Sequence, residues 1–193
     1  ISSVMTRDRF DEMIRYLHIS DTTHLDTEDR MAKVRPLLVM LNERFLTYFI
    51  KTQNLSIDES MIPYYGRHGA KQFIRGKPIR FGFKMWVIIT PLGYVMQFKP
   101  YQGAKGRKAL VPGLGIRGSV VIDLISELQE LDWYQLTFDN LFTSLPLVDC
   151  LTSKGIACAG TIRANRIEDC PLKPMKEMEG CHYRLLLRTV LGC

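Results

Sequence analysis

The stretch LTFDNLFTS, Leu136 to Ser144, has Leu136 and Phe138 alternating with Gln135 and Thr137 before the chain reaches Asp139 and a polar turn at Asn140. Upstream, LSIDES, Leu55 to Ser60, uses the same device: a short apolar strand, Leu55 to Asp58, that runs into a carboxylate. An aspartate at the end of a strand is a common way to present a ligand for a hard cation at a sheet edge. Each aspartate alone also has a plain structural reading. Asp58 could cap a turn, and Asp139 could open an Asx-turn into Asn140. Glu59 alternates to the opposite strand face and is the weaker ligand candidate.

The order of elements around these two strands decides between the readings. Gly82 to Thr90 and Tyr94 to Phe98 read as strands joined at Pro91-Leu92-Gly93, a hairpin turn. A Gly-rich basic loop from Tyr101 to Gly118 leads to a helix starting at Ser119, with Val121, Leu124, Ile125, Leu128 and Leu131 inward. The Gln135 to Phe138 strand follows. A helix from Thr143 to Lys154 is closed by Gly155, and Ile156 to Ile162 forms a last strand. Ahead of the sheet, Thr6 caps a helix to about Ile19 through Phe10, Met13, Ile14 and Leu17. A second helix, from about Ala32 to Thr52, carries Val34, Leu37, Leu38, Leu41, Phe45 and Phe49, with Pro36 in its first turn. These two helices read as a packing module. Three antiparallel strands followed by helix, strand, helix and strand make a mixed α/β sheet. The ribonuclease-H-like fold has this order, with metal-binding acids on its first strand and just after its fourth, the places of Asp58 and Asp139.

Charge is strongly segregated. From Ser60 to Ile122 there is no Asp or Glu but eleven Lys and Arg, so the other residues hold 15 basic against 20 acidic side chains. One positive face facing a polyanion, with nucleic acid the first choice, follows from that separation. Arg67, Lys71, Arg75, Lys77, Arg80 and Lys84 are interleaved with Tyr64, Tyr65, Phe73 and Phe81, a pattern that can hold phosphates and stack on bases, or equally one of core aromatics among surface cations. Lys105, Arg107 and Lys108 add a Gly-flanked basic loop that lacks the Walker spacing, which disfavours an ATPase. Asp123 reads as a solvated helix residue. No apolar run approaches the roughly 20 residues of a membrane span, and the N-terminus has no secretory pattern. The chain begins at Ile1 rather than Met, so an earlier start is expected. Five cysteines without a CxxC pair fit a reducing compartment. Cys170, Cys181, His182 and Cys193 match no common zinc spacing.

Four ordered blocks are similar to the piggyBac transposases and their domesticated relatives. They are TRDRFDEMIRYLHISD (6–21), LSIDESMIPYYGRHGAKQFIRGKPIRFGFK (55–84), FDNLFTSLPL (138–147) and GTIRANR (160–166). The resemblance runs from about Thr6 to Glu179. It implies a ribonuclease-H-like core, DNA cleavage and joining with Mg²⁺ or Mn²⁺, TTAA targets and work in the nucleus. By position, Asp58 and Asp139 would be the first two catalytic aspartates and metal ligands. Two carboxylates and two ions are how such enzymes activate one oxygen and stabilise the leaving one. The chain departs from the pattern after Glu179, ending CHYRLLLRTVLGC. Glu168, Asp169, Glu177 and Glu179 do not sit where the family's third acid would. The expected organisation is a helical segment at 1–53, a partial core at 54–179 and a divergent tail at 180–193, the fold being incomplete at the C-terminus. The expected function is DNA binding without full catalysis. A residual nuclease and a non-enzymatic module contacting intact relatives or other nuclear proteins are the alternatives.

Overall fold

The computed structural model describes residues 4–103 and 111–163. Lys105, Arg107 and Lys108, the possible zinc residues Cys170, Cys181, His182 and Cys193, the late acids and the 180–193 tail lie outside the described residues. Among those described, six strands form one mixed sheet: β1 (Asn54–Pro63), β2 (Lys71–Phe73), β3 (Phe81–Ile89), β4 (Val95–Pro100), β5 (Gln135–Phe138) and β6 (Ala157–Gly160). The order across the sheet is β2-β3-β1-β5-β6, with β4 also on β3. β1, β3 and β4 are antiparallel, whereas β5 joins β1, and β6 joins β5, in parallel. This is the ribonuclease-H-like mixed sheet that the element order implies.

β1 is longer than expected. Ser60 to Pro63 keep pairing with β3 as far as Gly82, so Asp58 sits inside a strand rather than at its end. β2 has no sequence signal, because three residues, Lys-Gln-Phe, carry too little alternation to register. At the hairpin, Gly93 adopts φ +81°, the left-handed conformation its turn needs, and the Gly93 amide donates to the Thr90 carbonyl at 2.9 Å.

The strands sort their side chains onto two faces. On one, Leu55, Ile57, Trp86, Ile88, Leu136 and Phe138 are buried together with helices α3 (Gly115–Ile125) and α4 (Leu145–Ser153). α3 starts four residues before Ser119, so Leu128 and Leu131 fall beyond its end. Gly155 closes α4 at φ +77°. Asp123 is not a solvated side chain: it forms an ion pair with Lys99.

On the other face, α2 (Arg35–Thr47) lays Leu38, Leu41 and Phe45 on Met85, Val87 and Phe98. A 3₁₀ turn, Ala32–Val34, precedes it. The Asn42 amide donates to the Phe98 carbonyl and accepts from the Phe98 amide, both at 2.9 Å. α2 therefore packs directly on the sheet, against β3 and β4. α1 (Arg7–Tyr16) has the expected Thr6 cap, which accepts from the Arg9 amide at 3.3 Å. Among the described residues nothing encloses its apolar face: Phe10, Met13 and Ile14 are all about half exposed, and no α1 residue is buried. Among the described residues, no helix is long and apolar enough to cross a membrane.

Ahead of α2, Asp29 accepts two 2.7 Å bonds from the Arg35 guanidinium. That partner holds the Asp29 carboxyl below its ordinary value of 3.8. A depressed folded-state pKa gives stability that is complete above the unfolded value and lost as pH falls through the folded one. Asp29→Asn should therefore make the melting temperature less steeply pH-dependent below about pH 4, as measured by thermal unfolding across acidic buffers.

Candidate metal and nucleic-acid site

The parallel ladder between β1 and β5 pairs Leu55 with Leu136, Ser56 with Thr137 and Ile57 with Phe138. One step further along both strands come Asp58 and Asp139, on neighbouring strands where the β1–β5 ladder ends. Ile57 and Phe138 are both buried in the core, so the preceding pair is locked and a one-residue slip would turn both strands inside out. Opposite Asp58 on its other side lies Val87 of β3.

Each aspartate has one carboxylate oxygen tied to a backbone amide. Asp58 Oδ1 accepts from the Glu59 amide at 2.6 Å, and Asp139 Oδ1 accepts from the Leu141 amide at 2.8 Å. Neither second oxygen has a partner among the described residues. The Asp139 carbonyl also accepts from the Phe142 and Thr143 amides and, at 2.8 Å, from the Thr143 hydroxyl. The Asx-turn reading of Asp139 is thus correct, and it leaves one oxygen available. Phe142, 1% exposed, anchors the turn in the core. Gly160 of β6 passes so close that a Cβ there would lie 2.6 Å from both the Phe138 carbonyl and the Thr143 hydroxyl.

Two carboxylates in adjacent register, each with one unpaired oxygen, fit a hard divalent cation such as Mg²⁺ or Mn²⁺ better than a soft one. Among the described residues, no three His, Cys, Asp or Glu gather as a metal-binding group. Glu59 lies on the opposite face, as alternation requires, ion-paired with Lys84 and, at 3.7 Å, with Lys77.

The basic residues divide into two groups. Lys84 is mostly enclosed between Glu59 and the rings of Trp86 and Tyr101. Lys71 donates to the Tyr65 and Gly66 carbonyls at 3.2 and 3.1 Å and fixes that turn. Arg67, Arg75 and Arg80 are exposed, and their guanidinium groups have no hydrogen-bond or ion-pair partner among the described residues. Two guanidinium groups that sequence reasoning missed flank the Asp139 turn: Arg117 donates to the Leu141 carbonyl at 3.5 Å, and Arg163 donates to Asn140 Oδ1 at 3.1 Å. Only the fold brings them there, since they come from α3 and from beyond β6. A groove of about 660 Å³, lined in part by Leu37, Tyr64, His68, Phe83 and Met85, opens beneath residues 25–38 and includes neither aspartate.

A family model described as Transposase IS4 matches residues 1–183. Human piggyBac transposable element-derived protein 3 is 43% identical over 175 residues, covering 90% of this chain and 29% of that protein. Human piggyBac transposable element-derived protein 2 is 41% identical over 181 residues, covering 93% of this chain and 30% of that protein. The cryo-EM structure of the piggyBac transposase synaptic complex with hairpin DNA superposes with a TM-score of 0.74 at 28% identity, over 84% of this chain and 34% of that one. The chain spans about three-tenths of the length of these human relatives.

Proposed function

Because this chain belongs to the piggyBac transposase family, we propose that it binds DNA through its acid-free segment and keeps, at Asp58 and Asp139, the divalent-cation edge of a strand-transfer enzyme without supporting strand transfer by itself. The observation that carries this reading is the β1–β5 register, which brings the two aspartates to the same level on adjacent strands. A bound Mg²⁺ or Mn²⁺ would supply Lewis acidity towards a phosphodiester. The chain's own part is to hold that ion between two backbone-fixed carboxylates and to steer the phosphate backbone with Arg67, Arg75 and Arg80. Work on DNA makes the nucleus the proposed compartment.

The metal half is tested by thermal unfolding. At a hundredfold excess over its dissociation constant, an ion that binds only the folded state adds about 2.7 kcal/mol. For a chain of this size that should raise the midpoint by roughly 5–10 °C. Asp58→Ala and Asp139→Ala should each abolish the shift, and a shift that survives both would place the ion elsewhere. Mn²⁺-dependent nicking of plasmid DNA that is lost in Asp58→Ala would instead favour a residual nuclease, the second reading that the same adjacency supports.

The DNA half is tested by salt. Replacing Arg75 and Arg80 by Gln should weaken binding across all sequences and lower the slope of log affinity against log salt by roughly two, about 0.9 per neutralised contact on duplex. An unchanged slope would remove these residues from the interface.

A further inference from the structure

Resting on the DNA-binding reading, we infer that the paired rings of Phe73 and Phe81 are a stacking platform for an unpaired base, so that the basic face prefers single-stranded or melted DNA to intact duplex. The two rings stand directly opposite each other in the β2–β3 hairpin, with centroids 4.8 Å apart and planes tilted by 36°. Phenylalanine is ordinarily buried, yet Phe73 is 58% and Phe81 44% exposed, with Tyr65 at 83% nearby in the chain. The Lys71 ammonium lies 5.4 Å from the centre of the Phe81 ring, held by the carbonyls of residues 65 and 66. Arg75 and Arg80, exposed, belong to the loop that joins the two strands.

Charge identifies the occupant. No acid lies between Ser60 and Ile122, and the neighbouring Glu59 is already engaged by Lys77 and Lys84. A protein partner would have to bring its own carboxylates to face Lys71, Arg75 and Arg80. A nucleic acid brings phosphates and flat rings together. In duplex the base faces are already stacked on one another, so an unpaired base meets an aromatic side chain without the few kcal/mol that parting a duplex step costs.

The rings also share a sheet face with Asp58. Val87 is the register partner of Asp58, and Met85, Phe83 and Phe81 follow on the same face by alternation. Phe81 and Val87 are six steps apart along β3, roughly 20 Å at about 3.3 Å per residue.

The test compares the full chain on a fluorescent single-stranded oligonucleotide and on the same sequence as duplex, by anisotropy. The parent should bind the single strand more tightly. Phe73→Leu/Phe81→Leu should cut the ratio of strand to duplex affinity by roughly tenfold, in line with about 1–3 kcal/mol per stacked base. A 2-aminopurine placed in the strand should be quenched by the parent and not by the double variant. Equal affinity for strand and duplex, with no quenching, would overturn the platform while leaving the DNA-binding reading intact. Binding to neither would overturn that reading and the platform with it. If the double variant fails to give a cooperative melt, quenching by the parent decides.

Discussion

Phe142→Ala should lower the melting temperature by roughly 10 °C, the shift expected from about 3–5 kcal/mol in a chain of this length. Phe142 is almost wholly enclosed in the cluster that holds Leu136, Phe138, Leu147 and Leu151. Its amide donates to the Asp139 carbonyl, so the ring is the anchor of the turn that presents Asp139. Truncation to alanine leaves a cavity the surrounding strands and helix cannot wholly close, and it frees the turn. The Mn²⁺ shift should therefore fall along with the midpoint, whereas Asp139→Ala should abolish the shift at little cost to the midpoint. Both are read in one series of thermal melts. A Phe142→Ala midpoint within about 2 °C of the parent would mean that the turn is held by something other than this core contact.

The second large effect lies on the opposite face of β1. The Glu59 and Lys84 side chains are only 13% and 15% exposed. Glu59→Gln would strand the Lys84 ammonium in a mostly dry site, at a cost of about 3 kcal/mol. Replacing both residues by methionine should recover most of that loss, because a buried pair and an apolar pair of similar volume are near each other in free energy. Chemical denaturation of the two single variants and the double one gives the coupling directly. Additive losses would show that the pair is not a unit. The same geometry separates Lys84 from Arg67, Arg75 and Arg80: its removal should reduce stability far more than it reduces the salt slope of DNA binding.

What the sequence made legible follows from period and order. Asp58 and Asp139 could be placed together because each follows an apolar alternation, and because the order of strands and helices admits few sheets. Their register could not be read, since it depends on Ile57 and Phe138 meeting in one core. β2 escaped notice for want of length. The α1 periodicity marked a helix correctly but said nothing of what would cover Phe10 or Ile14. Charge alone did not distinguish Lys84, enclosed beside Glu59, from Arg80, exposed, because burial is a tertiary property. Arg117 and Arg163 carried no signal at all: two arginines far apart in sequence meet the Asp139 turn only once α3 and β6 are docked.

A sheet can grow wherever an outer strand offers unclaimed amides and carbonyls, and β4 is such a strand. Asn42 impersonates one residue of a further strand, giving and taking a bond at Phe98 as a neighbour would. The helix that carries it is thus also a stopper. By occupying that position with a side chain instead of another backbone, the molecule ends its own sheet and denies a foreign strand the place to begin.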